Sequence, residues 1–99
     1  MMIRVWQYDV RADQSAEFEA AYRGDGAWAE LFGQGSGFMG VELYTSLDTP
    51  GRYLTVDKFE SLDAWEEFLL GHRAAYDELD ARMEGLTFDE RELLSGDAG

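Results

Sequence analysis

The stretch "FMGVELYTSLDTPGRYLTVDKF", residues 38–59, contains two apolar runs separated by a turn signal. Both runs are rich in β-branched and aromatic residues, which is typical of strands. The connecting "LDTPGR" places the only proline of the chain beside a glycine, a combination that is typical of a tight turn. We therefore predict an antiparallel hairpin at the centre of the fold.

Period-two alternation assigns the hairpin residues to the two sides of the sheet. One side receives Met39, Val41, Leu43, Leu54 and Val56. The other side receives Phe38, Tyr44, Tyr53 and Phe59. Since both sides are apolar, other parts of the protein must cover both.

Residues 2–10 alternate in the same way and predict a further strand, on which Arg4 and Gln7 face opposite sides. "RADQSAEFEAAYRG" then changes to helical spacing, with Asp13 or Ser15 as the expected cap and Gly24 near the expected end. A second helical patch, "AWAELF", indicates that this first helix is broken.

Ser61 is placed to cap a long helical run that we expect to bend near Gly71. "LTFDEREL" predicts a last strand before the polar end of the chain. The order β-α-β-β-α-β predicts an α+β, ferredoxin-like fold with a four-stranded antiparallel sheet and its helices on one face. We expect a single domain over residues 1–99, with an ordered core of about 2–94 and a polar tail at 95–99. The uncovered sheet face predicts a symmetric homodimer.

The glycine-rich "GQGSG", residues 33–37, raises the alternative of a phosphate-binding loop. Such loops follow a strand and open a helix, whereas here the order is reversed. We therefore predict a hinge in which Gly33 ends a helix, and a bulge or a close approach at Gly40.

Composition excludes several classes of function. The chain has 99 residues and a net charge of -13, which disfavours nucleic acid and anionic membranes as partners. It has no cysteine and one histidine, so we expect neither thiolate chemistry nor a metal site. The start "MMIRVWQYDV" lacks the long apolar run of a signal peptide or membrane span, and we expect a cytoplasmic protein.

The patterns "F..AY...GAWAELF....GF.GVEL", "P.RYLTVDKFES" and "AW..F" together resemble the antibiotic biosynthesis monooxygenase domain. The resemblance extends from Ile3 to about Leu94. It implies a homodimer of ferredoxin-like subunits whose sheets pack into a dimeric α/β barrel, with a pocket in each subunit between helices and sheet. Relatives include cofactor-free oxygenases that oxidise polycyclic phenols or quinols with dioxygen, and also haem-degrading enzymes.

The haem-degrading branch of this group uses an Asn on the first strand, and a Trp and a later His on the second long helix. Trp65 matches the tryptophan, and Gln7 lies where the asparagine is expected. His72 follows Trp65 too closely, and Tyr76 is nearer the histidine position. Haem degradation is therefore the third of three functional hypotheses.

His72 is the only side chain whose ordinary pKa suits proton transfer near neutral pH. We predict that it deprotonates a phenolic substrate, with Trp65 and Tyr76 completing the catalytic set. The alternative is an imidazole at a helix bend that binds a carbonyl. The predicted substrate-binding residues are Trp28, Phe32, Gln7, Tyr53 and Phe68. The alternative for the aromatic residues is an ordinary core position.

The leading hypothesis is a cofactor-independent monooxygenase that oxidises a small aromatic, phenol- or quinol-like compound with dioxygen. It requires no cofactor and no metal. The second hypothesis is a non-catalytic module that uses the same pocket to bind a small molecule.

Overall fold

The computed structural model describes all 99 residues. Its elements in chain order are β1 (Met2–Val10), α1 (Ser15–Tyr22), α2 (Ala27–Phe32), β2 (Phe38–Thr45), β3 (Arg52–Phe59), α3 (Leu62–Met83) and β4 (Thr87–Asp97). The four strands form one antiparallel sheet in the order β2-β3-β1-β4. This arrangement confirms the predicted ferredoxin-like fold. None of the helices has the length and apolar character needed to cross a bilayer.

The helices cover one face of the sheet only. Side chains of β3 alternate between buried and half-buried from Arg52 to Phe59, because every second residue lies beneath the helices. The covered face carries an aromatic core in which Phe18, Phe32 and Phe59 are almost completely buried. The uncovered face holds a row of apolar side chains, with Val5 of β1 flanked by Val56 of β3 and Leu94 of β4.

The predicted assignment of β2 side chains to the two faces of the sheet was wrong for part of the strand. A bulge lies between Phe38 and Gly40, and Gly40 has a φ of 135°, which favours glycine. Beyond the bulge the alternation is displaced by one residue. Val41 therefore lies opposite Asp57, and both it and Leu43 pack against the helix-covered core. Tyr44 lies opposite Leu54 on the uncovered face.

The start of the first helix also differs from the prediction. Neither Asp13 nor Ser15 caps it, and the chain instead enters α1 through a 3-10 turn at Ala12–Gln14. The Gln14 N–H donates to the Arg11 carbonyl at 2.9 Å and closes this turn. The predicted break is confirmed, since α1 ends at Tyr22 and α2 begins at Ala27.

Both predictions for α3 are confirmed. The Ser61 hydroxyl accepts a hydrogen bond from the Ala64 N–H at 3.1 Å and so caps the helix. The helix bends beside Gly71, where His72 has non-helical φ and ψ of -134° and 21°. This kink divides α3 into two helical segments.

The last strand is longer than predicted. β4 continues through Ser95 and Gly96 to Asp97, which lies opposite Met2 of β1. The Ala98 N–H donates to the Met1 carbonyl at 2.8 Å and continues the pairing. The polar side chains at the end of β4 do not prevent this pairing, because backbone groups form the hydrogen bonds between an edge strand and its neighbour.

The glycine-rich segment is a hinge between α2 and β2, with Gly33 at the end of the helix, as predicted. Gly37 is buried at the point where α3 crosses the hinge. A Cβ atom at Gly37 would lie 2.5 Å from the Cβ of Ala64, which is too close for two carbon atoms. The absence of a side chain at Gly37 therefore sets how closely α3 approaches the hinge.

We expect Gly37→Ala to lower the free energy of unfolding by roughly 1–3 kcal/mol, because the new methyl group must displace α3. Gly71→Ala is the matched control. No atom lies within 4 Å of a Cβ at Gly71, so the same change should stabilise the helix by up to about 1 kcal/mol. Urea unfolding of both variants measures the difference. Equal stability of the two variants would contradict the close-approach explanation.

Candidate functional site

A narrow cavity of about 40 Å³ lies between the helices and the covered face of the sheet. One part of its wall is aromatic and deep, and the other part is polar and reaches the surface. The residues that line it are Arg4, Trp6, Tyr8, Tyr22, Trp28, Phe32, Val41, Thr55, Asp57, Tyr76, Asp80 and Glu90.

Trp28 is the centre of the aromatic wall. Its ring lies 5.2 Å from Tyr76, 5.5 Å from Phe32 and 6.0 Å from Tyr22. Its indole Nε1 is buried and is the one buried side-chain polar atom without a hydrogen-bond partner. The Tyr22 hydroxyl is near enough for this N–H to lower the pKa of that phenol, but a full hydrogen-bond geometry is not formed. The indole N–H is thus free to donate to an oxygen atom in the cavity.

Arg4 and Asp57 form a buried ion pair in the polar part of the wall. They lie opposite each other on β1 and β3, with Arg4 Nη1 at 3.5 Å from Asp57 Oδ2. Their side chains are only 8% and 11% exposed. The Arg4 guanidinium also lies over the Trp65 ring at 4.1 Å and near the Trp6 ring at 5.6 Å. Arg4 Nε is also 3.9 Å from Glu92 Oε2, so two indole rings and two carboxylates fix the position of the positive charge.

Burial controls the protonation of this wall. It raises the pKa of Asp57 from 3.8 to about 6, although the charge of Arg4 acts in the opposite direction. Burial also raises the pKa of Tyr8 and of Tyr22 above that of an ordinary phenol, so both hydroxyls stay protonated at neutral pH. Asp57 is therefore a buried group that can exchange a proton near neutral pH.

Two further carboxylates, Asp80 and Glu90, stand at the exposed mouth of the cavity. Partial burial, followed by the charges of Asp80, Glu84 and Asp89, raises the pKa of Glu90. The acidic and histidine side chains do not form a group of three that could hold a metal ion. The mouth is therefore acidic without the geometry of a metal site.

Three of the predicted site residues line the cavity: Trp28, Phe32 and Tyr76. Trp65 and Phe68 lie behind this wall, with their rings stacked at 5.8 Å. Trp65 contributes indirectly, since it contacts both Arg4 and Tyr76. Trp65 and Phe68 therefore lie behind the residues that line the cavity and support them.

His72 lies away from the cavity, at the bend of α3. Its Nδ1 is 3.1 Å from the Phe68 carbonyl, and its ring stacks on the Phe68 ring at 4.9 Å. It borders a separate surface hollow together with Gln34 and Glu67. This geometry matches the alternative interpretation of a helix-bend imidazole bound to a carbonyl.

Gln7 and Tyr53 also lie outside the cavity. Gln7 is on the uncovered face of the sheet, so Arg4 is the polar residue of β1 that points inward. Tyr53 is buried under α1, where its hydroxyl donates to Glu19.

Sequence reasoning missed Asp57, although a signal for it was present. Alternation along "YLTVDKF" puts Asp57 on the same side as Tyr53 and Phe59, where a charged residue is unexpected. It also missed Asp80 and Glu90. These two residues come from α3 and β4, and the tertiary structure brings them together at the cavity, which the local spacing of the sequence does not reveal.

We expect Asp57→Asn to remove one component of the pH dependence of stability. The folded-state pKa of about 6 exceeds the ordinary value of 3.8, so the folded protein binds this proton more tightly than the unfolded chain. Its stabilising contribution is complete below about pH 4 and is lost as the pH rises to 6, by up to about 3 kcal/mol. Urea unfolding of both proteins between pH 4 and 7 tests this, and parallel stability curves would contradict it.

Known structures share this fold at low sequence identity. A candidate antibiotic biosynthesis monooxygenase from Bordetella bronchiseptica is 23% identical with a TM-score of 0.76, covering 99% of this chain and 96% of that one. A second from Deinococcus radiodurans is 20% identical with a TM-score of 0.72, and the match covers 100% of this chain and 93% of that one. SnoaB, a cofactor-independent oxygenase from Streptomyces nogalater, is 21% identical with a TM-score of 0.69, and the match covers 98% of this chain and 91% of that one.

No curated protein matches the chain in sequence. The family model described as antibiotic biosynthesis monooxygenase matches residues 1–74, which include β1 to β3 and the first part of α3. These elements supply most of the cavity wall. The chain belongs to the antibiotic biosynthesis monooxygenase family.

Proposed function

We propose that this protein is a cofactor-independent monooxygenase that oxidises a small phenol or quinol with dioxygen in the cavity between helices and sheet. The observation that carries the proposal is the buried Asp57 carboxylate, which pairs with Arg4 inside an aromatic-lined cavity. The likeness to SnoaB, a cofactor-independent oxygenase, supports the class of reaction.

Asp57 is suited to act as the base. With a pKa of about 6, it is mainly ionised at neutral pH and can accept the proton of a phenol. The resulting phenolate forms in a buried site beside the Arg4 guanidinium, which stabilises its negative charge. The Trp28 N–H is a further donor to a substrate oxygen.

The remaining chemistry uses the substrate as reductant. The phenolate transfers one electron to dioxygen, and the radical and superoxide then join to form a carbon–oxygen bond. Where the attacked ring carbon carries a hydrogen, the peroxide formed there loses that hydrogen and its terminal hydroxyl as water and leaves a carbonyl group. One oxygen atom enters the product and the other becomes water, so no external reductant is required.

The size of the cavity favours a small substrate. Its volume of about 40 Å³ is far below the roughly 300–1,000 Å³ of most small-molecule sites. Trp6 and Tyr76 are the half-buried aromatic residues of the wall and are the ones that can move to admit a ring. We therefore favour a single-ring substrate over a polycyclic one.

We expect oxygen uptake with single-ring hydroquinones, and less with dihydroxynaphthalenes and anthrones. Asp57→Asn should lower kcat/KM about a hundredfold, the scale of a lost general base. In the native protein, kcat/KM should fall as the pH drops below about 6, because Asp57 becomes protonated. Heat-denatured protein corrects for spontaneous oxidation, and a chelator should have no effect.

His72→Ala distinguishes the two candidate bases. A large loss in this variant, with full activity in Asp57→Asn, would assign the base to His72 and overturn the role of Asp57. No uptake above the denatured control with any compound would favour the second hypothesis, a module that binds a small molecule without oxidising it.

We further propose that two copies associate through the uncovered faces of their sheets. Val5, Val56 and Leu94 form an apolar row there, and Leu94 is 52% exposed in the single chain. Burying such a face against its symmetric copy removes apolar surface from water.

Light scattering should give about twice the chain mass of 11.2 kDa for the native protein. Leu94→Lys should reduce the mass to that of one chain, because it buries a charge in the interface. Leu70→Lys is the matched control, since Leu70 is 88% exposed on the helical side and should leave the mass unchanged. A native mass of one chain would contradict the proposal.

A further inference from the structure

The mouth of the cavity holds two carboxylates that have no cationic partner. Asp80 of α3 and Glu90 of β4 both line the cavity, and neither takes part in any ion pair of the protein. By contrast, the neighbouring acids Asp77 and Asp89 are paired with Arg73 and Arg91. Of the three acidic residues that line the cavity, Asp57 is paired with Arg4, and the two at the mouth have no cationic partner.

The arginine within the cavity does not supply the missing charge. Arg4 is paired with Asp57 and enclosed by the rings of Trp6 and Trp65. Against this single positive charge the cavity wall carries the carboxylates of Asp57, Asp80 and Glu90. When all three are ionised the wall is therefore net negative, which attracts a cation and repels an anion.

The other groups of the wall indicate an organic ligand. Trp6, Tyr8 and Tyr76 offer aromatic rings, which attract cations through their electron-rich faces. Trp28 is only 6% exposed, and its unpartnered N–H calls for an oxygen acceptor. The acids of the wall do not converge as a set of metal ligands. An oxygen-bearing aromatic molecule satisfies the rings and the indole N–H together.

We infer that the cavity selects a phenol that also carries an ammonium group, with the ring between the aromatic walls and the ammonium at the mouth against Asp80 and Glu90. The phenolic part of this ligand rests on the proposed function. The ammonium part rests on the two unpaired carboxylates and would apply equally to a protein that binds without catalysis.

Titration calorimetry without oxygen tests the inference separately from turnover. The probes are tyramine, a phenol with an ammonium group, and N-acetyltyramine, which keeps the phenol but is neutral. Tyramine should bind at least about tenfold more tightly, since the ammonium meets two carboxylates over aromatic rings. Equal affinity of the two probes would overturn the inference.

Variants locate the effect at the mouth. Asp80→Asn and Glu90→Gln should each weaken tyramine binding about three- to tenfold, and their combination more, while N-acetyltyramine is unaffected. Both residues are exposed, so the variants should fold. Glu78→Gln is the matched control, because it removes one exposed charge from the same helix away from the cavity. Loss of tyramine affinity in Glu78→Gln to the same extent would overturn the assignment to the mouth.

The outcomes separate this inference from the proposed function. Selective tyramine binding without oxygen uptake from any phenol supports the ligand class and contradicts the oxygenase. Turnover of neutral phenols, together with equal binding of the two probes, supports the oxygenase and contradicts the ligand class.

Discussion

A positive and a negative side chain lie side by side beneath the helices of this protein, on the two central strands of its sheet. Removing both charges from water is costly, and their attraction offsets that cost only where the geometry is well defined. Here the register of β1 and β3 places Arg4 opposite Asp57, and the rings of Trp6 and Trp65 hold the guanidinium in place. The shape of the cavity depends on this pair, because an uncompensated charge at either position would force the wall to rearrange or to admit water.

The aromatic core and the wall of the cavity are made of the same residues. Phe32 packs against Phe59 and Trp65 on one side and against Trp28 on the other, so it belongs to both. The stability of the domain and the shape of the site are therefore coupled. A core of this kind holds the polar groups in fixed positions, and it leaves little free space until an aromatic side chain at the mouth moves.

The element order and the hinge could be predicted from sequence because hydrophobic period, capping and turn residues are local signals. Ser61, which caps a helix, and the proline of the hairpin turn are two such local signals. The candidate site was harder to predict from the sequence, because it depends on which residues the sheet and the bent helix bring together. His72 was chosen for its ordinary pKa, whereas burial gives Asp57 a pKa of about 6, and burial is a property of the tertiary structure. The prediction of which β2 side chains face the helices was wrong, because one bulge reverses the facing of every later residue in the strand.

That bulge also bears on how cavities in this family can diversify. It turns Val41 toward the cavity and Glu42 away from it, since the two residues lie opposite Asp57 and Val56 respectively. In a strand of the same length without the bulge, simple alternation from Phe38 would exchange the two. Glu42 would then become a fourth carboxylate of the wall, beside Asp57, Asp80 and Glu90. Alignments that ignore the bulge would also compare the inward residues of one relative with the outward residues of another.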